Sequence, residues 1–405
     1  MNVSVNEPLL DSPGCDERGS KDDLEPTVRD DALALSAKIS LSRIDLRGFR
    51  SIEEQSVPIG DVTVLLGANG SGKSNLVLFF KMLNYMMTGA LQNFVGKYGA
   101  NQLLFYGPKT TGALSFSVHF SSEAVQVVYE VQLSYGLPDR LFVGGEKVTY
   151  SREGYSQPQE YYLESGGKEI SLPMDGALTS RVITFLLSKI RTYQFHDTSD
   201  ASRIRSRARI DSSRYLFSDG GNLPAFLKML RDSAEYRPYY ERIIRHIRAV
   251  VPQFRDFVLE ALSDNAEYLR LNWQDISGDD HIFGPDQLSD GSLRFMALAA
   301  LLLQPPEIMP GVIVIDEPEL GLHPAAITEL AGMVRIASQN AQIILATQSP
   351  RLVDEFSPEQ IVIVEWDKQT RGSVFKRLDA DSLQNWLEHY SLSDLWEKNV
   401  IGAQP

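Results

Sequence analysis

The chain has 405 residues, 43% of them hydrophobic, a formal net charge of −14 and one cysteine. That length and apolar content can bury a large core, as one elaborated domain or two joined lobes. One cysteine excludes an internal disulfide and a cysteine-rich zinc site, the lack of a long apolar run excludes a bilayer-spanning helix, and the acidic balance argues against a simple nucleic-acid binder.

The first 35 residues hold nine acidic and three basic side chains among Pro8, Pro13, Gly14, Gly19 and Pro26, so residues 1–37 are expected to be a disordered acidic tail. Cys15 lies in that tail, as a bystander thiol. No secretory leader pattern opens the sequence, and the cytoplasm is the expected location. Val62–Leu66 then reads as a short buried strand, and Leu76, Phe79, Phe80, Leu83 and Met87 recur at helical spacing. Between them Gly67-Ala68-Asn69-Gly70-Ser71-Gly72-Lys73-Ser74 fits G-x-x-x-x-G-K-[ST] in the strand, loop, helix context that motif needs. Glycines without Cβ atoms let successive N–H groups curl around phosphate oxygens, and the helix N-terminus adds its positive end. Lys73 would reach the β- and γ-phosphates of ATP and Ser74 would ligate Mg²⁺; Gly67, Asn69, Gly70, Ser71, Gly72 and Asn75 complete the candidate nucleotide site.

A long insertion, about residues 95–285, follows. Residues 113–163 alternate in the strand manner, with turns expected near Gly136-Leu137-Pro138 and Gly144-Gly145, and predict an antiparallel β lobe on the core. Residues 178–191 and 223–250 read as helices, without the sustained heptads of a coiled-coil rod. Tyr193-Gln194-Phe195-His196 ends a strand between them. Residues 201–255 carry twelve Lys or Arg against five acidic residues. Arg203, Arg205, Arg207 and Arg209 come at every second position, so an extended segment would aim all four to one side, and Arg242, Arg245 and Arg248 would share a helix face. Two readings stand: a solvated surface that balances acidic neighbours, and a track for a nucleic-acid backbone.

Leu288-Ser289-Asp290-Gly291-Ser292 opens an apolar helix that stops at Pro305-Pro306; its start is either a plain N-cap or a second anion site. Val312–Ile315 is an apolar run ending in Asp316-Glu317, the form of a central parallel strand that delivers acid groups to its C-terminal edge. Asp316 would hold the Mg²⁺ shell and Glu317 would polarise the attacking water. Gln342–Thr347 is another buried strand with Gln348-Ser349-Pro350 at its tip, far enough along for one helix and one return, which puts Asp316, Glu317 and Gln348 on neighbouring strand tips. Beyond Pro350, a strand at Gln360–Trp366 and helices carrying Leu383, Trp386, Leu387, Leu395 and Trp396 read as core-facing and leave too little chain for a nuclease domain. His119, His196, His246, His281, His323 and His389 lack the close paired spacing of a metal site.

Taken together, these motifs resemble those of ABC-type ATPases of the RecF and SMC kind, and in particular the bacterial single-chain ATPases grouped with RecF, over about residues 40–405. The resemblance implies an α/β P-loop NTPase of ABC-ATPase architecture spanning residues 38–405, with the antiparallel β lobe and a helical insertion. It makes Leu288–Ser292 the signature motif, with Ser289, Asp290, Gly291 and Ser292 as its nucleotide-facing residues, and Glu319–Pro324 the D-loop, where His323 could meet a neighbouring subunit. Gln194 becomes the candidate for the glutamine that touches Mg²⁺, a surface glutamine being the other reading. Gln348 stands at the switch position, where an amide can hydrogen-bond but cannot become cationic. The implied activity is ATP hydrolysis by a head-to-tail homodimer, Gly67–Ser74 of one chain facing Ser289–Ser292 of the other, acting on DNA in repair or defence, through Arg203, Arg205, Arg207 and Arg209, or with a separate effector protein. Two rivals are a transporter nucleotide-binding subunit, which would need a membrane partner, and an ATP-dependent scaffold that does not hydrolyse.

Overall fold

The computed structural model describes residues 39–153, 157–278 and 281–403, so the acidic tail and Cys15 lie outside the described residues. A mainly parallel sheet carries the strands in the order Gly372–Arg377, Ile361–Asp367, Val62–Leu66, Gln342–Thr347, Val312–Asp316, Ile190–Tyr193. Only the first pairing is antiparallel. Every residue of Val62–Leu66, Val312–Asp316 and Gln342–Thr347 is buried, because helices and a second sheet cover both faces, and this is why these runs are mostly apolar rather than alternating. Leu66 pairs with Thr347, Ile315 with both Leu345 and Tyr193, and Asp316 with Ala346. That register brings the P-loop, Gln348, Asp316 and Gln194 out at one edge.

The second sheet is antiparallel, in the order Ile52–Pro58, Ser40–Phe49, Ala113–Ser121, Val125–Gly136, Arg140–Arg152, Gln159–Tyr162. The β lobe is therefore built on the N-terminal strands as well as on the insertion, with Ser40–Phe49 pairing to Ala113–Ser121. The Gln342 side chain bonds both backbone groups of Leu41 at 2.8 Å, joining one sheet to the other as an extra strand residue would. Gly144-Gly145 is not a turn. Gln132 pairs with Gly145 and Leu133 with Val143, so Gly144 is the extra residue of a bulge inside Arg140–Arg152. The long helix Lys73–Met87 lies between the sheets, its Phe79 ring 6.0 Å from Phe49 and 5.0 Å from Phe116.

Several other local expectations need correction. Residues 178–191 divide into the helix Leu178–Ser188 and the edge strand Ile190–Tyr193, and 223–250 into helices Leu223–Asp232 and Arg237–Val250. Pro238 lies in the first turn of the latter, where its missing N–H costs nothing. A strand at Gly372–Arg377 follows Ile361–Asp367 in a hairpin, and Trp386 is 46% exposed although Leu383, Leu395 and Trp396 face the core. Among the described residues no helix is long and apolar enough to cross a membrane.

The arginine track is the main correction. Arg203–Arg205 is a 3₁₀ turn rather than an extended segment, so the four guanidinium groups diverge. Arg203 pairs with Asp219 at 3.0 Å, Arg207 with Asp264 at 2.8 Å and Arg209 with Asp211 at 2.8 Å. Arg205 is buried. On Arg237–Val250, Arg242 turns back to the Leu303 carbonyl at 2.9 Å and stacks on Tyr239, while Arg248 donates to the Arg255 carbonyl. The excess of arginine in the sequence is mostly spent within the chain, on carboxylates and carbonyls brought near by folding.

Because Phe79 is fully buried between the two sheets, Phe79→Ala should cost about 3–5 kcal/mol, the range for deleting a core aromatic. Denaturant unfolding of wild type and variant checks this; a loss below about 1 kcal/mol would mean the sheets do not depend on this helix face.

Candidate nucleotide-binding site

The P-loop is shaped by close approach. A Cβ on Gly67 would stand 2.1 Å from the Val364 carbonyl oxygen, and one on Gly72, whose φ is +115°, 2.0 Å from Ser373 Oγ. Behind the loop, Ser51 Oγ lies 2.6 Å from Ser373 Oγ and accepts from Asn75 Nδ2 at 2.6 Å, so the two hairpin serines buttress the start of the helix. Asn69, Gly70 and Ser74 are exposed, and Ser71 Oγ is buried with no partner. Lys73 is 5% exposed and its Nζ donates to the Gly67 and Ala68 carbonyls at 2.6 and 2.9 Å. Burial pushes its ammonium below the ordinary lysine range, against the opposing pull of Glu317, Asp316 and Glu319.

The acid edge stands opposite. Asp316 is 6% exposed; Oδ2 accepts from Gln194 Nε2 at 3.3 Å, and Oδ1 is buried with no partner. Burial raises its carboxyl above the usual range. An orphaned carboxylate oxygen beside a side-chain amide offers the oxygen donors that a hard cation such as Mg²⁺ takes, so Asp316 and Gln194 fit the ion that the sequence implies. Glu317 follows at φ +44°, a left-handed turn held by its N–H to the Ala346 carbonyl at 2.8 Å. Gln348 Nε2 donates to Glu317 Oε1 at 3.3 Å, which joins the two candidate catalytic side chains.

Ser289, Asp290, Gly291 and Ser292 form the start of the helix Asp290–Leu302, with Ser289 Oγ accepting from the Ser292 N–H at 3.1 Å. Arg205 fixes this corner: it donates to the Thr198 carbonyl at 2.7 Å, the Leu288 carbonyl at 3.2 Å and Asp290 Oδ1 at 2.8 Å. Its guanidinium, with Thr198, holds the Asp290 carboxyl below the usual range. His323 accepts the Ala325 N–H at 3.3 Å and caps the next helix.

The structure thus brings Gly67–Asn75, Gln194, Asp316, Glu317 and Gln348 to one edge, and sets Ser289–Ser292 on a separate helix. Sequence reasoning missed Ser51 and Ser373, which carry no motif, and took Arg205 for a surface cation. It read His196 only as a histidine outside any metal site and Glu319 only as the start of the D-loop, whereas His196 Nε2 lies 2.8 Å from the Asp316 carbonyl oxygen and Glu319, 9% exposed, accepts at Oε1 from Thr347 Oγ1 at 2.5 Å. A lone histidine two residues past Gln194, or a second glutamate after Pro318, gives no periodic signal.

Glycine loop, buried lysine and strand-end acid pair on a parallel sheet flanked by an antiparallel lobe define a P-loop NTPase fold. The chain belongs to the family described as "AAA domain, putative AbiEii toxin, Type IV TA system", whose model matches residues 62–354. Its fold is similar to that of an Smc head solved bound to the C-winged helix domain of ScpA, at 16% identity and TM-score 0.53, over 85% of this chain and 99% of that one. It is likewise similar to an Smc head with an extended coiled coil bound to the C-terminal domain of ScpA, derived from Pyrococcus furiosus, at 14% identity and TM-score 0.52, over 86% and 99%.

Burial also lifts the Glu319 carboxyl above the ordinary glutamate range, against the Thr347 hydrogen bond. A raised folded pKa means that the folded chain keeps this proton to higher pH than the unfolded chain does. The stability it contributes is complete below the unfolded value of about 4.3 and is lost as pH rises through the folded value. Glu319→Gln should therefore melt progressively higher relative to wild type as pH is raised above the unfolded glutamate value of about 4.3. A melting-point difference that does not change with pH would refute this.

Proposed function

We propose that this ATPase domain hydrolyses ATP with Mg²⁺, in a head-to-tail homodimer that closes on two nucleotides. The observation that carries the reading is the convergence of Lys73, Gln194, Asp316, Glu317 and Gln348 at one sheet edge, with a buried Asp316 oxygen left unpartnered. The backbone N–H groups of Gly67–Ser74 would wrap the phosphates, with Asn69 and Asn75 beside them. Lys73 would exchange the Gly67 and Ala68 carbonyls for β- and γ-phosphate oxygens. Ser74, Asp316 and Gln194 would hold Mg²⁺, which neutralises charge on the β- and γ-oxygens. Glu317 accepts a hydrogen bond from the attacking water, and Gln348 holds that carboxylate in place. Ser289–Ser292 of the second chain would supply the opposing anion site, so turnover waits on closure.

The four arginines favour a protein client over a DNA track. A phosphate backbone would have to displace Asp219, Asp264 and Asp211, and Arg205 is inaccessible. The solved Smc heads are seen with bound ScpA domains, and a partner of that kind is the reading in which this chain drives a separate effector. Turnover measured with and without duplex DNA tests it; salt-dependent stimulation by DNA would restore the nucleic-acid client.

Four variants test the mechanism. Glu317→Gln keeps size and reach but loses the charge, so ATP should bind and be hydrolysed at least about a hundredfold more slowly, with the protein accumulating as an ATP-loaded dimer. Lys73→Ala should bind no nucleotide, and Ser289→Arg should bind it but stay open. Light scattering with ATP and Mg²⁺ separates these three; wild-type turnover in Glu317→Gln removes that carboxylate from the reaction, and no turnover in the wild type itself favours the non-hydrolysing scaffold. Gln348→Ala should slow turnover by about tenfold or more with ATP affinity unchanged, since a hydrogen bond to a charged group is worth about 1.5–3 kcal/mol.

A further inference from the structure

The signature helix carries a side chain that the mechanism above does not use. Arg294 follows Ser289–Ser292 on the same helix, and its guanidinium fans out to two separate segments. Nε donates to the Phe195 carbonyl at 3.1 Å, and Nη2 to the His196 carbonyl at 2.8 Å and Thr198 Oγ1 at 3.3 Å. Nη1 donates to the Leu320 carbonyl at 2.9 Å. A planar group with five donors in a fixed fork suits such a task, because its directions are set before any bond forms.

Both ends of this staple run on to chemistry. On one side, His196 bonds the Asp316 carbonyl at 2.8 Å and Gln194 bonds the Asp316 carboxylate. On the other, the D-loop is gripped twice: at Leu320 by Arg294, and at Gly321, whose carbonyl oxygen would lie only 2.3 Å from a Cβ on Gly291. A Cβ on Gly321, at φ +75°, would in turn stand 2.8 Å from Arg294 Nη1. Signature, glutamine turn and D-loop are packed too closely at this joint for one to shift while the others stay.

We propose that Arg294 is a positioning residue that locks the signature, the 194–198 turn and the D-loop into one body, so that the edge offered to the opposing nucleotide moves with Gln194 and Asp316 at the chain's own nucleotide. This rests on the head-to-tail reading given above. Binding of ATP to the P-loop of an open chain does not involve the joint, whereas closure and turnover do. Loss of Arg294 therefore acts on kcat and not on nucleotide affinity.

The test uses the full chain with Arg294→Ala and, from the opposite side of the joint, Gly291→Ala, which wedges the helix off the Gly321 carbonyl without removing any hydrogen-bonding group. Each should lower kcat by about 10–100-fold, the scale of a misplaced catalytic edge, while calorimetric ATP affinity stays within about twofold. Because both break the same joint, the double variant should lose no more than about a further twofold rather than the product of the two. Millimolar guanidinium should restore part of the turnover of Arg294→Ala and none of that of Gly291→Ala. Wild-type kcat in Arg294→Ala overturns the inference. So does a loss of ATP affinity and folding in Arg294→Ala alongside normal turnover in Gly291→Ala, which would make the arginine merely structural. ATP-dependent dimerisation of Glu317→Gln separates the two levels: if that variant stays monomeric, the head-to-tail reading falls and the inference with it, whereas a dimer combined with unimpaired Arg294→Ala turnover removes the inference alone.

Discussion

A single buried ammonium sets the terms for this molecule. Lys73 sits at the root of a helix between two sheets, bonded to the Gly67 and Ala68 carbonyls and short of water. A buried cation is tolerable only beside compensating charge. Asp316, Glu317 and Glu319 supply that charge from the neighbouring strand end, and their own burial raises the Asp316 and Glu319 carboxyls. The site is thus poised: its cation is held by backbone oxygens and its acids are short of partners, a balance that phosphate oxygens and a divalent cation would resolve.

That balance depends on the sheet. Only parallel strands buried on both faces can bring a glycine loop, an acid pair and a switch residue to one edge from three distant stretches of chain. The antiparallel lobe then closes over the helix from the other side, through the aromatic contacts of Phe79 and the bonds of Gln342 to Leu41. It also lends Ser51 to the base of the P-loop, so the β lobe contributes to the shape of the site as well as to the core.

The arginines show how composition can mislead. Counted along the chain, residues 201–255 look like a cationic surface. Folded, Arg205 is a buried brace of the signature corner, Arg203, Arg207 and Arg209 neutralise nearby carboxylates, and Arg242 and Arg248 bond carbonyls. A guanidinium with several donors is as useful for tying loop carbonyls together as for gripping phosphate, and sequence carries no mark that separates the two uses.

What the sequence determined by itself was the chemistry that is local. The P-loop follows from contiguous residues between a strand and a helix, and the buried strands ending at Asp316 and Thr347 from short apolar runs of strand rather than helix length. Their order and spacing were enough to place Gln348 beside Glu317, which the 3.3 Å bond bears out as geometry. Tertiary structure alone decided everything that joins distant segments: Ser373 against Gly72, Arg205 and Arg294 across the signature corner, Glu319 against Thr347, and the sharing of Ser40–Phe49 with the β lobe. It also turned Gly144 from a turn into a bulge, since a glycine pair reads alike in both until the partner strand sets the register. Contacts of this kind depend on which surfaces meet, and periodicity along one segment reports which face is buried without naming what it is buried against.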